Sequence, residues 1–299
     1  MIPTLRSLPD PQALRARLSE TYALDFTGCT LLRSLVNDVY ELTTPADRYV
    51  LKLYRAGGRS AAEIRWETGL SRHLTQAGVP APVPVALADG TDVGLLDAPE
   101  GDRPFVLLEH LTGTKPQPPF DDELYRAFGE LMACFHTATD DLQTSRKQPG
   151  PDWENLQVPA EENLLRALGD AVRNHLTQYS DALSKGVCHG DVSLDNLLAG
   201  PDGLSIHDFD LAGTGYRAAD FTGVASTPYW PSFRAGYEAL RPIPAADLAA
   251  IPYLAVAGSL TNLHFHLVDK PLIRGTESIH EGWAQAELDG LRQAATELL

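Results

Sequence analysis

Cysteine, methionine and positive charge are scarce in this chain of 299 residues. It contains three cysteines and two methionines. Cys29, Cys134 and Cys188 are odd in number and lack the spacing of a metal site, which predicts buried, reduced thiols rather than disulfides. The first residues contain no uninterrupted apolar run, so we expect neither a signal peptide nor a membrane anchor, and we expect a cytoplasmic protein.

Lys and Arg number 24 against 40 Asp and Glu, which gives a net charge of −16. The excess is concentrated in residues 116–220, which hold 18 acidic and 7 basic residues. No basic patch favours binding of DNA or RNA. An acidic field of this kind would attract a cationic substrate, although it is also typical of an ordinary charged surface.

The segment 186–210, GVCHGDVSLDNLLAGPDGLSIHDFD, places two acids and a carboxamide at strand ends. Its pattern predicts a strand, a polar turn around Asp191, a hairpin and a second strand that delivers Asp208. Phosphoryl transfer needs a carboxylate near the attacking hydroxyl, and oxygen ligands that hold Mg²⁺ against the phosphates of ATP. Asp191 fits the first requirement, and Asn196 and Asp208 fit the second.

The strings HGDVSLDN and DFD are a partial match to the HRDLxxxN and DFG strings of protein kinases. With glycine in place of the arginine, they resemble the aminoglycoside phosphotransferase and choline kinase branch of the kinase-like fold. The resemblance implies that Asp191 orients or deprotonates the acceptor hydroxyl and that Asn196 and Asp208 bind the metal ion. We group His189 with Asp191 as a catalytic residue and expect it to brace the loop. Either string alone is typical of a turn or a solvated strand end, but their order and spacing favour the catalytic interpretation.

Three β-prone segments between Cys29 and Tyr54 predict an antiparallel meander. Lys52 lies in the third segment among apolar neighbours, where a lysine either extends from an edge to solvent or pairs with a buried acid. The string VLK at 50–52 resembles the VAIK context of the phosphate-binding lysine of kinases.

A helix is predicted over 60–76, with Ser60 as its N-cap. Glu67 lies beside the apolar stripe of this helix, so it is the preferred ion-pair partner for Lys52. Glu63 is the alternative, and either acid is otherwise an exposed helix charge.

The GxGxxG string of protein kinases is absent between the first two predicted strands. The string RSLVNDVY stands there, and Ser34 and Asn37 are the residues able to turn the loop and reach a phosphate oxygen. This departure matches small-molecule kinases better than protein kinases. GTGYRA at 213–218 fits GxGxxA, but no βαβ unit frames it, so we interpret its glycines as turns.

An apolar strand is predicted over 103–111, and the Pro- and Gly-rich string GTKPQPP ends it. An adenine ring needs an apolar slot, one backbone acceptor and one backbone donor, and the exit of a buried strand can present all three. By resemblance, the residues from Glu109 to Leu111 take this role as the hinge. An ordinary core strand that leads into a linker predicts the same sequence.

Further helices are predicted over 11–21, 120–139 and about 161–184. The resemblance implies that Asp220 supports the catalytic loop through backbone hydrogen bonds. Eleven residues separate Asp208 from Asp220, and no APE string follows. The long activation segment of a typical protein kinase therefore has no room.

The run IPYLAVAGSLTNLHFHLVD at 251–269 is long and apolar, but its polar residues predict a buried lobe helix rather than a membrane span. His264 and His266 point to different faces of that helix, which argues against metal binding. Side chains that could hold an acceptor amine, and that are equally typical of core or surface, are Tyr229, Trp230, Glu277, Glu281 and Trp283.

The sequence therefore predicts an α+β, protein-kinase-like, two-lobed fold. A small antiparallel-sheet lobe spans 1–111, and a larger, mainly helical lobe spans 112–299. The resemblance implies ATP- and Mg²⁺-dependent transfer of the γ-phosphoryl group to a hydroxyl of a small metabolite or antibiotic, cationic ones included. The alternatives are a compact bacterial stress-type protein serine/threonine kinase and a nucleotide-binding pseudokinase; loss of a catalytic residue would favour the latter, and none is lost. Neither nucleic acid nor a membrane is expected as a partner, and the oligomeric state stays open.

Overall fold

The computed structural model of the protein describes residues 2, 4–144, 146–147, 156 and 158–299. The chain forms two compact units, of which the first comprises Met1–Thr114 with Leu198–His207 and the second Lys115–Leu197 with Asp208–Leu299. The predicted division after residue 111 assigned residues 198–207 to the other lobe, and as a domain boundary it stays a prediction. The sequence also predicts a linker between the helices over 120–139 and about 161–184, and its residues Pro149, Gly150, Pro151 and Trp153 lie outside the described residues.

The regular elements follow the order expected for a sheet-rich first part and a helical second part. The strands are β1 (Gly28–Ser34), β2 (Asp38–Thr43), β3 (Arg48–Leu53), β4 (Pro84–Val85), β5 (Gly94–Leu96), β6 (Arg103–Glu109), β7 (Lys185–Cys188), β8 (Leu197–Gly200), β9 (Gly203–Ile206) and β10 (Gly213–Tyr216). The helices are α1 (Pro11–Tyr22), α2 (Ala61–Gln76), α3 (Asp122–Ala138), α4 (Glu162–Gln178), α5 (Thr222–Ala225), α6 (Trp230–Leu240), α7 (Ala245–His264), α8 (Lys270–Arg274) and α9 (Trp283–Leu298).

An antiparallel sheet forms the centre of the first unit, with β1, β2, β3, β6 and β4 side by side in that order and β5 also paired with β6. The predicted meander of three strands is confirmed as β1, β2 and β3. Alternation along β3 decides which helix each side chain meets. Leu51 is buried in a cluster with Leu14 of α1. Tyr54, just after β3, is buried with Ile64 of α2, and Lys52 shares its face by alternation.

Close contact between two helices organises the second unit. A Cβ at Gly129 of α3 would collide with the Phe233 carbonyl oxygen of α6, and a Cβ at Gly236 would collide with the Arg126 carbonyl oxygen. The Phe128 and Phe233 rings meet edge to face, with centroids 5.1 Å apart. Because glycine lets the backbones approach, side chains further along α3 and α6 can meet as well.

Three further helices share a second core. Leu165 and Leu168 of α4, Val256 and Leu260 of α7, and Leu291 of α9 are buried together. The predicted helix over 161–184 ends earlier than expected, at Gln178. The chain turns there because the Ala182 and Leu183 N–H groups both donate to the Tyr179 carbonyl, at 2.9 and 3.2 Å.

One helical run of the described residues, Ala245–Arg274, is long and apolar enough to cross a membrane, with a mean hydropathy of 1.2 over its most apolar window and 33% of that window buried. The core helix of a soluble protein meets the same criterion. Val256, Leu260 and Leu263 of α7 are buried in the core that α7 shares with α4 and α9, as expected of a lobe helix.

Candidate active site

Lys52 is buried in the first unit and bonded to an acid. Its Nζ donates to Glu67 Oε1 at 2.8 Å, and the same oxygen accepts from the Tyr54 hydroxyl at 3.0 Å. Lys52 is 6% exposed and Glu67 7%. The predicted pairing of Lys52 with Glu67 is confirmed, and the pair holds a lysine ammonium at a fixed place within the sheet.

Glu63, the alternative partner, caps the N-terminus of α2 instead. Ser60 accepts from the Glu63 N–H at 3.2 Å, and the Glu63 carboxylate accepts from the Ser60 N–H at 2.9 Å. This reciprocal capping satisfies two donors at the helix start. Its backbone and hydroxyl hydrogen bonds hold the pKa of Glu63 below its ordinary value.

The turn between β1 and β2 carries the two residues predicted to reach a phosphate oxygen. Ser34 Oγ donates to Asp38 at 2.7 Å and accepts from Arg6 at 2.5 Å. Asn37 is buried, at 8% exposure. Burial alone would raise the pKa of Asp38, but hydrogen bonds from Arg103, Ser34 and Arg6 hold it below its ordinary value. The turn is thus held by buried charge, and the phosphate contact assigned to Ser34 and Asn37 stays a prediction.

The predicted hinge begins where β6 ends. The Glu109 N–H donates to the Val83 carbonyl at 2.9 Å, and the His110 N–H donates to the Arg48 carbonyl at 3.2 Å. Among the described residues the Leu111 N–H has no acceptor. Leu111, the second residue past the strand, therefore offers a backbone donor.

In the second unit a buried carboxylate anchors the predicted catalytic loop. Asp220 Oδ2 accepts from the His189 N–H at 2.8 Å, and Oδ1 accepts from the Gly190 N–H at 2.9 Å. Gly190 has a φ of 84°, which glycine adopts without the cost that a Cβ would bring. The predicted support of this loop by Asp220 through backbone hydrogen bonds is confirmed.

Asp191 is exposed and is fixed by its neighbours in the loop. Its N–H donates to His189 Nδ1 at 3.2 Å. Asn196 Nδ2 donates to Asp191 Oδ2 and to the Asp191 carbonyl, both at 2.8 Å. These bonds orient the carboxylate, and they engage the amide nitrogen of Asn196 so that its carboxamide oxygen can serve as a cation ligand.

Asp208 stands on an unusual backbone conformation. Its φ of 67° lies in the left-handed region, as does that of Ala23 at 52°. Such a residue costs roughly 1–3 kcal/mol and persists where surrounding contacts hold it. The next residue, Phe209, is buried and packs on the His189 ring at 5.4 Å and the Phe135 ring at 6.3 Å. Packing of Phe209 therefore holds the backbone next to Asp208, from which the Asp208 side chain extends.

His136 of α3 was missed by sequence reasoning. Its Nε2 lies 3.1 Å from Asp220 Oδ2, and its Nδ1 lies 2.8 Å from the Tyr237 hydroxyl of α6. Burial lowers the pKa of His136, so the neutral ring donates from Nε2 to Asp220 and accepts from Tyr237. Burial would raise the pKa of Asp220, but the hydrogen bond from His136 holds it below its ordinary value. No spacing in the sequence marks His136, since both partners are far along the chain.

Two sequence motifs resemble sites of other functions, namely GTGYRA at 213–218 and the pair His264 and His266, and their interpretations have different outcomes. The interpretation of the GTGYRA glycines as turns is wrong, because Gly213–Tyr216 form β10, which pairs antiparallel with β7. His264 and His266 were predicted not to bind a metal ion, and this stays a prediction. His264 lies 3.3 Å from Asp269, and no group of three or more His, Cys, Asp or Glu side chains within the described residues could hold a metal ion.

The predicted amine-holding side chains have other contacts. The Tyr229 hydroxyl donates to the Phe120 carbonyl at 2.9 Å, and Trp230 packs on Phe221 and Phe233. Glu281 pairs with Lys270 at 2.5 Å. Glu277 is exposed, and Trp283 is 58% exposed. These contacts support structural roles for Tyr229 and Trp230.

The donor groups in the second unit fit a magnesium ion that is shared with phosphates. Asn196 offers a carboxamide oxygen and Asp208 a carboxylate, and both are oxygen ligands of the kind that Mg²⁺ takes. Mg²⁺ is usually bound by one or two such protein groups together with substrate phosphates, rather than by a complete protein cage.

Comparison with known proteins identifies the family. The model of the APH family, described as a phosphotransferase enzyme family, matches residues 29–248. An uncharacterized protein of Deinococcus radiodurans is 34% identical over 284 residues, which cover 86% of this chain and 82% of that protein. A homoserine kinase of Hyphomonas neptunium is 28% identical over 269 residues, which cover 80% and 79%.

The fold agrees with that of a solved kinase. Amicoumacin kinase, in complex with AMP-PNP, Ca²⁺ and Ami, superposes with a TM-score of 0.77 at 19% identity, over 97% of this chain and 94% of that one. The predicted kinase-like fold and phosphotransferase class are confirmed. The chain belongs to the phosphotransferase enzyme family.

Proposed function

We propose that this protein transfers the γ-phosphoryl group of ATP, with Mg²⁺, to a hydroxyl of a small acceptor molecule. The observation that carries the proposal is the Asp191 carboxylate, which Asn196 Nδ2 orients at 2.8 Å within a loop that Asp220 anchors. A carboxylate held in this way suits a group that must meet a hydroxyl in one geometry. The relatives named homoserine kinase support a small acceptor that carries a hydroxyl.

The nucleotide would be held by groups that the first unit keeps in place. Lys52, paired with Glu67 at 2.8 Å, supplies an ammonium for phosphate oxygens. Ser34 and Asn37 lie in the β1–β2 turn, which covers phosphates in the proposed function. The Leu111 N–H and the Glu109 carbonyl are the donor and acceptor for an adenine ring.

Asn196 and Asp208 would hold Mg²⁺, which supplies charge neutralisation for the phosphates when it is bound. Asp191 accepts the hydrogen bond of the acceptor hydroxyl and aligns its oxygen with the γ-phosphorus. The hydroxyl oxygen forms a bond to the γ-phosphorus while the bond from that phosphorus to the β,γ-bridging oxygen breaks. ADP leaves with the electron pair, and the hydroxyl proton passes through Asp191 to solvent. We place this activity in the cytoplasm, where ATP is available.

A screen of ATP consumption would test the proposal. The acceptors are aminoglycosides, amino alcohols, homoserine, sugars and a generic protein substrate, each measured with the wild type and with Asp208→Ala. We expect one small-molecule class to stimulate ADP formation in the wild type and not in the variant. Stimulation by the protein substrate alone would indicate a protein kinase, and nucleotide binding without turnover of any acceptor would indicate a pseudokinase.

A further inference from the structure

A cavity of about 390 Å³ lies in the second unit beside the loop that carries Asp191. One wall is formed by residues 192–195, the four that directly follow Asp191. Another part of the lining, the aromatic wall, includes Phe120, Tyr125 and Phe128, from α3 and the segment before it. The volume is within the range of sites that enclose a small molecule.

The aromatic wall is held rigidly from behind. Tyr125 is 5% exposed and stacks on Tyr229, with centroids 4.5 Å apart and planes at 10°. Phe120 meets the edge of Tyr125 at 6.3 Å, and its carbonyl accepts the Tyr229 hydroxyl at 2.9 Å. A preformed aromatic surface of this kind favours a ligand with an apolar body, because little order has to be created on binding.

The charge that lines the cavity is negative. Among the described residues that line it, Asp195 is the one whose side chain is charged at neutral pH. Burial raises the pKa of Tyr125, so that phenol stays neutral. Asp195 pairs with Lys115 at 3.3 Å, but the two side chains are 86% and 46% exposed. Such an exposed pair is weak, so a ligand ammonium can replace Lys115 on the Asp195 carboxylate.

We propose that this cavity is the acceptor site, and that it takes an amino alcohol whose apolar body lies against Phe120 and Tyr125 and whose ammonium pairs with Asp195. The inference rests on the proposed function, because it assigns the acceptor for the same loop. Its basis is the position of the cavity: the loop that presents Asp191 continues directly into the wall that presents Asp195. The hydroxyl of a bound amino alcohol then lies toward Asp191.

Binding without nucleotide tests this site apart from catalysis. Phenylalaninol has an aromatic body, a hydroxyl and an amine, phenylpropanol lacks the amine, and alaninol lacks the aromatic ring. By calorimetry we expect phenylalaninol to bind the wild type at least about fivefold more tightly than phenylpropanol, as a charge-assisted contact at a partly exposed site would give. Asp195→Asn should remove that preference. Asp181→Asn, an exposed acid in the same unit, should keep it.

A second pair of ligands, phenylalaninol and alaninol, tests the aromatic wall. Phe120→Ala should weaken binding of phenylalaninol and leave binding of alaninol nearly unchanged. Equal binding of phenylalaninol and phenylpropanol, a preference that survives in Asp195→Asn, or no binding of either alcohol would overturn the assignment of this cavity. Transfer from ATP to phenylalaninol, measured in parallel, reports on the proposed function. Binding with the expected selectivity, together with no transfer to phenylalaninol or to any acceptor of the screen, would overturn the proposed function and keep the site.

Discussion

At the scale of single residues, Asp191 is the group on which turnover should depend most. Asp191→Asn keeps the shape of the side chain but removes the acceptor of the hydroxyl proton. We expect turnover to fall by roughly 10²- to 10⁴-fold, the usual range for general-base catalysis, while nucleotide affinity stays nearly unchanged. Steady-state rates with the best acceptor and calorimetry with ATP would measure the two effects.

His189 provides the comparison for Asp191. It is fully buried, and its Nδ1 accepts the Asp191 N–H at 3.2 Å, so His189→Ala should loosen the loop and lower stability as well as turnover. If Asp191→Asn kept near-normal turnover while a folded His189→Ala lost it, the roles assigned to these two residues would be reversed.

Lys52 and Glu67 should behave as one unit. Truncation of one partner leaves the other charge buried, so Lys52→Ala and Glu67→Ala should each weaken productive use of ATP and lower stability. Together they should cost less than the sum, with a coupling of roughly 0.5–3 kcal/mol. Denaturant unfolding of the wild type, the two single variants and the double variant gives this number.

An exposed ion pair on α4 is a matched control for that cycle. Arg166 and Glu162 lie at 2.6 Å but are 67% and 62% exposed, so their coupling should be about 0.3–0.5 kcal/mol. A Lys52–Glu67 coupling as small as this one would contradict the buried pair.

At the scale of elements, the catalytic loop depends on α3 and α6 through His136. The His136 ring lies between Asp220 and Tyr237, and burial lowers its pKa. The unfolded chain takes up a proton at this histidine below about pH 6.5, whereas the folded protein does so only at lower pH. The stability that it contributes is therefore fully present above that pH and is lost as the pH falls toward the folded pKa.

We expect this loss to reach up to about 1.4 kcal/mol per pH unit. His136→Gln cannot be protonated, so it should be less stable at pH 7 but lose less stability on acidification. Urea unfolding between about pH 7 and 5 would measure the slopes. The exposed His280→Gln is the control and should keep the wild-type slope; a wild-type slope in His136→Gln as well would contradict the origin assigned here.

Local pattern explains which elements were predictable. The Lys52–Glu67 pair was predictable because its two residues lie only 15 apart in the chain. Alternation along one strand places Lys52, and the apolar stripe of the next helix places Glu67. His136 meets partners 84 and 101 residues away, and nothing near it in the sequence reports them. Gly213–Tyr216 were misread for the same reason, because their pairing with β7 makes them a strand.

Close packing and backbone strain also lie beyond the sequence pattern. Gly129 and Gly236 occur in helices, where glycine is unfavourable alone, and their use becomes clear from the contact of α3 with α6. The predicted strand led to Asp208 correctly, but the sequence pattern does not indicate the φ of 67° that Asp208 adopts next to the buried Phe209. Family resemblance, in contrast, was enough to identify Asp220 as the support of the loop.

At the scale of the whole molecule, nucleotide binding should stabilise the fold. A ligand at about 100 times its dissociation constant adds about 2.7 kcal/mol to the folded state, so ATP with Mg²⁺ should raise the melting temperature. Asp208→Ala should remove most of the part that requires Mg²⁺. An unchanged melting temperature of the wild type with millimolar ATP and Mg²⁺ would contradict the nucleotide site. An unchanged metal response of the variant would show that the cation binds elsewhere.

The central claim is that a phosphoryl group moves from ATP to the hydroxyl of a small molecule, and the fate of the γ-phosphoryl group tests it most directly. With ATP labelled at that group, Mg²⁺ and the best acceptor of the screen, the wild type should place the label on an acceptor hydroxyl and release one ADP for each ester formed. Asp191→Asn should bind ATP and form little ester. Label that stays in ATP, or that appears only as inorganic phosphate with every acceptor, would contradict the account.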